Sequence, residues 1–540
     1  MTFYPMHMHL HSSHEPAASI GSHMAHAASL GIKHLWLTEH DVRMGTKKRS
    51  LNKFSLFRHK LFDELPNGVR AGFKVDDEHT GSYAFIDEES RVFVELSAKQ
   101  GEKGVLFFYS KQKSHCDPLF AEINVKMDAD IELSADGGFT VEFVLSAQPP
   151  SFKQAKLCYF IGEHKEIRSD EAIKYLPMPD KNSEGKYVFS LTEDTSDEIG
   201  GLDNALCFIR LITEGNSGDS KIIFRSFEFE RKLNFEPVRQ RQIQVAQAVG
   251  KIHGVTPFVT FEVSDAGHHK NSYDTKVPVI NYEELDFKVS QEYAISHIKK
   301  HGGIFSYNHP FTEWKNEDLS DSEKEAVVDN LIETFSKNRV YGAALMEVGF
   351  PYEKESFYDR HYLRLWDGLS LRGVFITGDG DSDNHYATED GWTRLNNFAT
   401  FAGIYDNEAP TEDSFRSAFL RGSVWFGNPV YIKELSYLAE GEPMGSIFVN
   451  KPVEIHFDVH KINCEGYALR IVNGKTDKKI PIKNGMISDT FTLECNNRFN
   501  FARMEIRGTD DVLIASTNPI YIVKDEKDIY SEAMVRRVKE

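Results

Sequence analysis

At 540 residues the chain exceeds what one hydrophobic core supports, so about two to four domains are expected. No apolar run is long enough to span a bilayer, which excludes a membrane partner, and the formal net charge of −19 repels polyanions, which excludes nucleic acid. A small-molecule substrate is the expectation that remains.

The first segment reads MTFYPMHMHLHSSHE and places His7, His9, His11 and His14 close together. A tag would be a homopolymeric run, whereas here His alternates with Met6, Met8 and Leu10. Alternation is the period of a strand, so His7, His9 and His11 are expected on one face. Neutral imidazoles converging from one strand suit a metal site. SIGSHMAHAASLG then has helical spacing and ends on Gly31, a C-cap candidate. IKHLWLTEHD follows as a buried strand with a polar end. Strand, helix, strand is the unit of a parallel sheet or barrel.

From about Asn67 to Lys232 helical periodicity disappears. Runs such as RVFVELSA, VLFFYS, FTVEFVLSA, LCFIRLIT and KIIFRSFEFE recur between Gly, Asp, Ser and Asn clusters, as in an antiparallel β-sandwich. Helical patterning returns in VRQRQIQVAQAVGKIHGV and alternates with strands to about Pro429. The last hundred residues are strand-like again. The fold class expected is therefore α/β, with a core in two parts (1–58 and 235–432), an inserted β-sandwich (59–234), a small C-terminal β-domain (433–525) and a tail (526–540). All five tryptophans (Trp36, Trp314, Trp366, Trp392 and Trp425) lie outside the insertion. Sugar-binding sandwiches commonly present Trp faces, so the insertion reads as structural or as a surface for homo-oligomer formation. The five scattered cysteines form neither a disulfide framework nor a CxxC knuckle. With no secretion signal at the N-terminus, a cytoplasmic location is expected.

In an α/β barrel the active site lies where strands end. Four apolar runs end in His or carboxylate: HLWLTEHD at Glu39, His40 and Asp41; PFVTFEVSDAGHHKN at Glu262, His268 and His269; HGGIFSYNHP at Asn308 and His309; and GVFITGDGDSDNH at Asp383 and His385. A lone histidine is more often a hydrogen-bonded core or surface residue. Four strand ends together with an HxH start are a stronger signal.

In order and context these motifs (HMHLH, TEHD, a strand-end Glu, NHP and SDNH) resemble the PHP (polymerase and histidinol phosphatase) superfamily. The large β insertion and the C-terminal β segment are more similar to its CehA/McbA-type hydrolases. TEDSFRSAFLRGSVWFGNP is similar to the segment that closes those domains. The resemblance covers roughly residues 1–58 and 235–430. It implies a PHP-type distorted β/α barrel with two or three divalent ions at the strand ends. Carried across by position, His9, His11, His40, His309, Asp383 and His385 match ligands, and Glu262 matches a carboxylate bridging two ions. One of His268 and His269 matches a further ligand. HKN favours His269, while Gly267-His268 also fits. His7 and Glu39 stand where the family commonly has Asp, and Glu15 where it has part of Ser-Asp-Gly. That leaves His7 and Glu15 doubtful, with Glu39 and Asp41 behind the ligands and Glu39 orienting His40.

Mixed His and carboxylate ligation suits Mn, Zn or Fe rather than all-oxygen Mg or Ca sites. The implied chemistry is hydrolysis by metal-held hydroxide, with Glu262, Asp383 and His309 as catalytic residues and Asp383 or a histidine moving the proton. Arg43 and Asn308 are substrate-binding candidates, although a solvated loop cation fits Arg43 equally. A phosphoesterase acting on a small phosphorylated substrate, sugar-containing ones included, is the first expectation. A hydrolase of carboxyl esters, amides or carbamates is the alternative, and a non-catalytic metal-binding protein the third.

Overall fold

The histidine-bearing segment forms strand β1 (Thr2–Leu10), followed by α1 (Ile20–Ser29) and β2 (His34–His40). The alternation resumes with α2 (Phe235–His253), β3 (Thr256–Val263), β4 (Lys270–Asn271), α3 (Gln291–Lys300), β5 (Ser306–Tyr307), α4 (Asp321–Lys337), β6 (Leu345–Gly349), α5 (Asp359–Leu371), β7 (Thr377–Gly380), β8 (Ala399–Ile404), α6 (Glu412–Arg421) and β9 (Val424–Gly427). The chain is thus a sheet-rich mixed α/β protein. The structure, a computed structural model, describes residues 1–12, 20–41, 47–50, 69–73, 82–88, 91–110, 117–118, 122–146, 171–176, 179–191, 205–232, 235–264, 267–282, 285, 287–314, 318–349, 357–385 and 398–539.

Local chemistry fixes several helix ends. Ser320 and Glu323 close a reciprocal capping box at the start of α4. Gly31 takes a φ of 75° just past α1, a left-handed turn that a Cβ would disfavour, as its C-cap reading anticipated.

β1, β2 and β3 run parallel, and β4 folds back antiparallel on β3. Ser272 bridges Phe305 beside β5, and β5, β6 and β7 are again parallel. Parallel neighbours need long crossovers, which helices between them supply. Beyond β7, Asn384 bridges Leu10, and the His11 amide donates to the Asn384 carbonyl at 3.0 Å. The succession of strands therefore returns to β1. Leu35, Leu37 and Val259 pack against Ile20, Met24 and Ala27 of α1 and Val245 and Ala246 of α2. Met346 and Val348 pack against α4 and α5. Trp36, Phe258, Tyr273 and Leu345 meet Met6 and Met8 in a third buried cluster. Each fully buried side chain of this kind contributes roughly 1.5–3 kcal/mol.

Residues 47–232 contribute two six-stranded sheets whose strand pairs are antiparallel. The first of these strands, Lys47–Ser50, already pairs with Glu228–Arg231, so the insertion starts before the expected boundary at residue 59. The C-terminal segment also departs from expectation. Leu513–Thr517 pairs with β9, and Phe499–Gly508 pairs with Leu513–Thr517, so these strands extend the β1 sheet rather than form a separate domain. Even the expected tail contributes a strand, Val538–Lys539, parallel to Ile447–Val449. Hydrophobic alternation identifies a strand but not its partner, which is why sequence misplaced these segments. Arg503 is fully buried where this sheet meets α5; it donates to both oxygens of Asp367 at 2.8 and 2.9 Å and to Glu505 at 2.7 Å. Among the described residues no helix is long and apolar enough to cross a membrane.

Candidate metal centre

Strict alternation fails in β1. Its pairing with β2 shifts register between His7 and Leu10. Met6 and Met8 face the cluster of Trp36 and Tyr273, while Leu10 packs with α1. His7 is buried on the α1 side near His23, and burial followed by that neighbour lowers its pKa to about 3. It therefore does not share a face with His9 and His11. Those two turn toward each other instead, with their Nε2 atoms 3.1 Å apart.

Glu262, at the end of β3 and fully buried, is the centre of the group. Its Oε1 lies 3.3 Å from His9 Nε2, 3.1 Å from His269 Nδ1 and 3.4 Å from His309 Nε2. Its Oε2 lies 2.7 Å from His40 Nδ1 and 3.9 Å from His11 Nε2. Asp383 closes the opposite side, 3.1 Å from His11 Nε2 and 2.9 Å from His385 Nε2. The rings of His11 and His385 stack at 4.2 Å. Four overlapping trios bring donor atoms within 4.8 Å of one another: His11, His40 and His385; His9, His11 and Glu262; His40, Glu262 and His269; and His9, His309 and Glu347.

Glu347, the middle residue of β6, was missed in the sequence. Its run, AALMEVGF, carries a single carboxylate within the strand and has no companion motif. The carboxylate accepts from His9 Nδ1 at 2.5 Å and from the His309 amide at 2.5 Å. With its proton on Nδ1, His9 turns the Nε2 lone pair toward Glu262 and His11. His309 is oriented similarly: Thr312 Oγ1 donates to the His309 carbonyl and lies 2.5 Å from His309 Nδ1. Ser264 contacts both His40 and Glu262, and its amide donates to Asp41, which Tyr282 also holds at 2.5 Å. Asp41 thus reaches His40 and Glu262 only through Ser264.

Three expectations are corrected. Glu39 does not orient His40: adjacent strand residues face opposite ways, and Glu39 accepts instead from the Ser12 amide, the Ser12 hydroxyl and Gln242 of α2. Asn308 is fully buried and donates to Glu262 at 2.8 Å, so it clamps that carboxylate rather than meeting substrate. His268 packs against Tyr307 and Phe335, away from the group that His269 joins. Glu15, His14 and Arg43 lie outside the described residues.

Electrostatics fit a cation site. Burial works to raise the pKa of Glu262, but His269, His9 and His40 together hold it well below the usual carboxylate range. Burial, then His40 and His385, push His11 well down, and burial lowers His40 against the pull of Glu262. Against the effect of burial, Glu347, Glu262 and Asp383 raise His9 well above the usual imidazole range, and Glu262 raises His269, so the carboxylates favour positive charge here. Two Nε2 atoms 3.1 Å apart between two carboxylates face one small space, which a shared proton or a metal cation would satisfy. The group can hold a metal ion, and its nitrogen and oxygen donors suit Zn, Mn or Fe. His309 and Asp383 both take positive φ, 27° and 47°, conformations that cost a non-glycine residue on the order of 1–3 kcal/mol and recur where chemistry fixes geometry.

No family model matches this sequence, and no curated protein matches it. Among solved structures the chain is similar to the glycoside hydrolase domain of Endo-D from Streptococcus pneumoniae (12% identity over 31% of this chain and 22% of that one, TM-score 0.18). It is also similar to a family 11 carbohydrate-binding module from Clostridium thermocellum (10% identity over 34% of this chain and 95% of that one, TM-score 0.18). The chain thus spans less than a quarter of the first, and likenesses this weak assign neither fold nor function.

Proposed function

We propose that this chain is a metal-dependent hydrolase of the PHP type, in which β1 to β7 form the distorted barrel and residues 47–232 an inserted sandwich. Its substrate class is a small phosphorylated compound. The observation that carries this reading is the convergence on Glu262 of five histidines from four separate segments of the chain.

Divalent ions bound here would supply a water acidic enough to ionise near neutral pH and positive charge for a tetrahedral anion. Glu262 would be the central residue holding them. His9, His11, His40, His269, His309, Asp383 and His385 are the remaining candidate ligands. Asp383 is in reach of three of these rings within 3.5 Å and is the group to accept and pass on a proton. His269 and His385 are each about a quarter exposed and form the solvent side of the group, where a substrate oxygen would arrive.

The test is elemental analysis of the purified protein, followed by phosphomonoester, phosphodiester, carboxyl ester and carbamate panels with added Mn or Zn. We expect bound transition metal and phosphoester turnover. Turnover confined to carboxyl esters or carbamates would replace the substrate class with the alternative. Absence of both metal binding and turnover would refute the hydrolase reading.

A further inference from the structure

Two carboxylates behind the histidine group remain unexplained. Glu347 and Asp379 are direct partners in the parallel register of β6 and β7, so their side chains share a face. The other face of β7 is filled: a Cβ on Gly378 would lie 2.7 Å from the Trp366 indole, and one on Gly380 2.7 Å from Phe426. Alternation turns Asp379 inward, and Asp381 follows it, with its amide bonded to the Gly349 carbonyl at 3.2 Å. All three carboxylates are fully buried.

Glu347 is satisfied by His9 and His309. Asp379 and Asp381 are not: none of their four carboxylate oxygens has a hydrogen-bond partner among the described residues. The charged groups acting on the pair are Glu347, each other, Asp383 and His9, with no Lys or Arg among them. A second buried oxygen points the same way. Asn271 gives its amide to the Tyr273 hydroxyl at 3.4 Å, and its own Oδ1 has no hydrogen-bond partner among the described residues. That hydroxyl feels Asp379, Asp381 and Glu347. Carboxylates left unpaired at such depth are among the costliest groups a fold can bury, so something must neutralise them.

We infer that Asp379 and Asp381, with Glu347 at the rim and Asn271 and Tyr273 nearby, bind one oxygen-seeking divalent cation of the Ca2+ or Mg2+ class, in a site behind His9 and separate from the histidine centre. The donors are all oxygens, the set such ions select, and the one imidazole nitrogen nearby, His9 Nδ1, is engaged by Glu347. Such an ion would anchor the strand end that leads to Asp383 and His385. The competing arrangement is a proton on each carboxylate.

The full chain, stripped by chelator and reloaded with Zn2+, is dialysed against Ca2+ and, separately, Mg2+, and its metal content measured. We expect one equivalent of one of these ions beyond the Zn2+, together with a higher Tm. Both should vanish in D379N/D381N, whose amides need no counter-ion, and persist in H385A. If the double variant does not fold, the wild-type stoichiometry decides alone. No uptake by the wild type, uptake unchanged in D379N/D381N, or uptake lost in H385A would each overturn the proposal.

Discussion

Glu347→Gln tests how the centre is held. The carboxylate presents one oxygen to His9 Nδ1 and the other to the His309 amide, both at 2.5 Å. Glutamine keeps the shape but has one acceptor, so its amide nitrogen must face a buried N–H. One charge-assisted hydrogen bond is lost, a loss of about 1.5–3 kcal/mol. His9 also loses the partner that fixes its proton on Nδ1. At about 1.4 kcal/mol per tenfold, metal affinity should fall roughly 10- to 100-fold, in the range typical of such supporting carboxylates. Competition against a chromophoric chelator at pH 7 measures this directly. Circular dichroism should be unchanged, and Glu347→Asp should recover part of the loss. Unaltered metal affinity in Glu347→Gln would show that the carboxylate does not orient His9, and the tautomer argument would fall with it.

Glu262→Gln should lower metal content and reduce any hydrolytic turnover by about 10²-fold, as elemental analysis and the substrate panel would report, because a neutral amide cannot balance several cationic or metal-bound neighbours. His269→Ala should likewise weaken metal binding, whereas His268→Phe, among Tyr307 and Phe335, should leave metal content intact. Burial, partly offset by Ser12 and Gln242, raises the Glu39 pKa from 4.5 to about 7. Below pH 4.5 both folded and unfolded forms carry its proton; between 4.5 and 7 only the folded form does, so stability falls as pH rises through that window, by about 3 kcal/mol. Glu39→Gln should abolish this slope in denaturant titrations at pH 5 and pH 8. Arg503→Ala strands Asp367 in the interior and leaves Glu505 with Arg507 alone; it should cost about 3–5 kcal/mol, seen as a lower denaturation midpoint.

Much of the candidate centre was legible because several of its residues end apolar runs. His40 follows HLWLTE, Glu262 follows PFVTF, and His309 follows IFSYN, so strand ends and residue types that can ligate metal coincide. What sequence did not carry was orientation. The β1 register shift separates His7 from His9, although both belong to one alternating run. Glu39 and His40 diverge by the same alternation that grouped them as neighbours. Asn308 looked like a substrate contact because it adjoins His309, yet its amide is used on Glu262. Strand partnership was equally hidden: nothing in NPIYIV says that this strand continues the sheet of the N-terminal strand.

The pairing of the first strand with late segments sets the order in which the protein can be made. His11 meets Asp383 across 372 positions of sequence. At roughly 5–20 residues per second, the HxH segment leaves the ribosome about 20–75 s before Asp383 is polymerised. For the first two thirds of that interval its imidazoles are open to any imidazole-seeking ion with neither Glu262 nor Asp383 yet made, and for the last third Asp383 is still missing. Metal loading of the proposed centre would then follow translation, and expression in medium rich in copper or nickel, which bind imidazole more tightly than manganese does, should yield more mismetallated protein the slower the elongation.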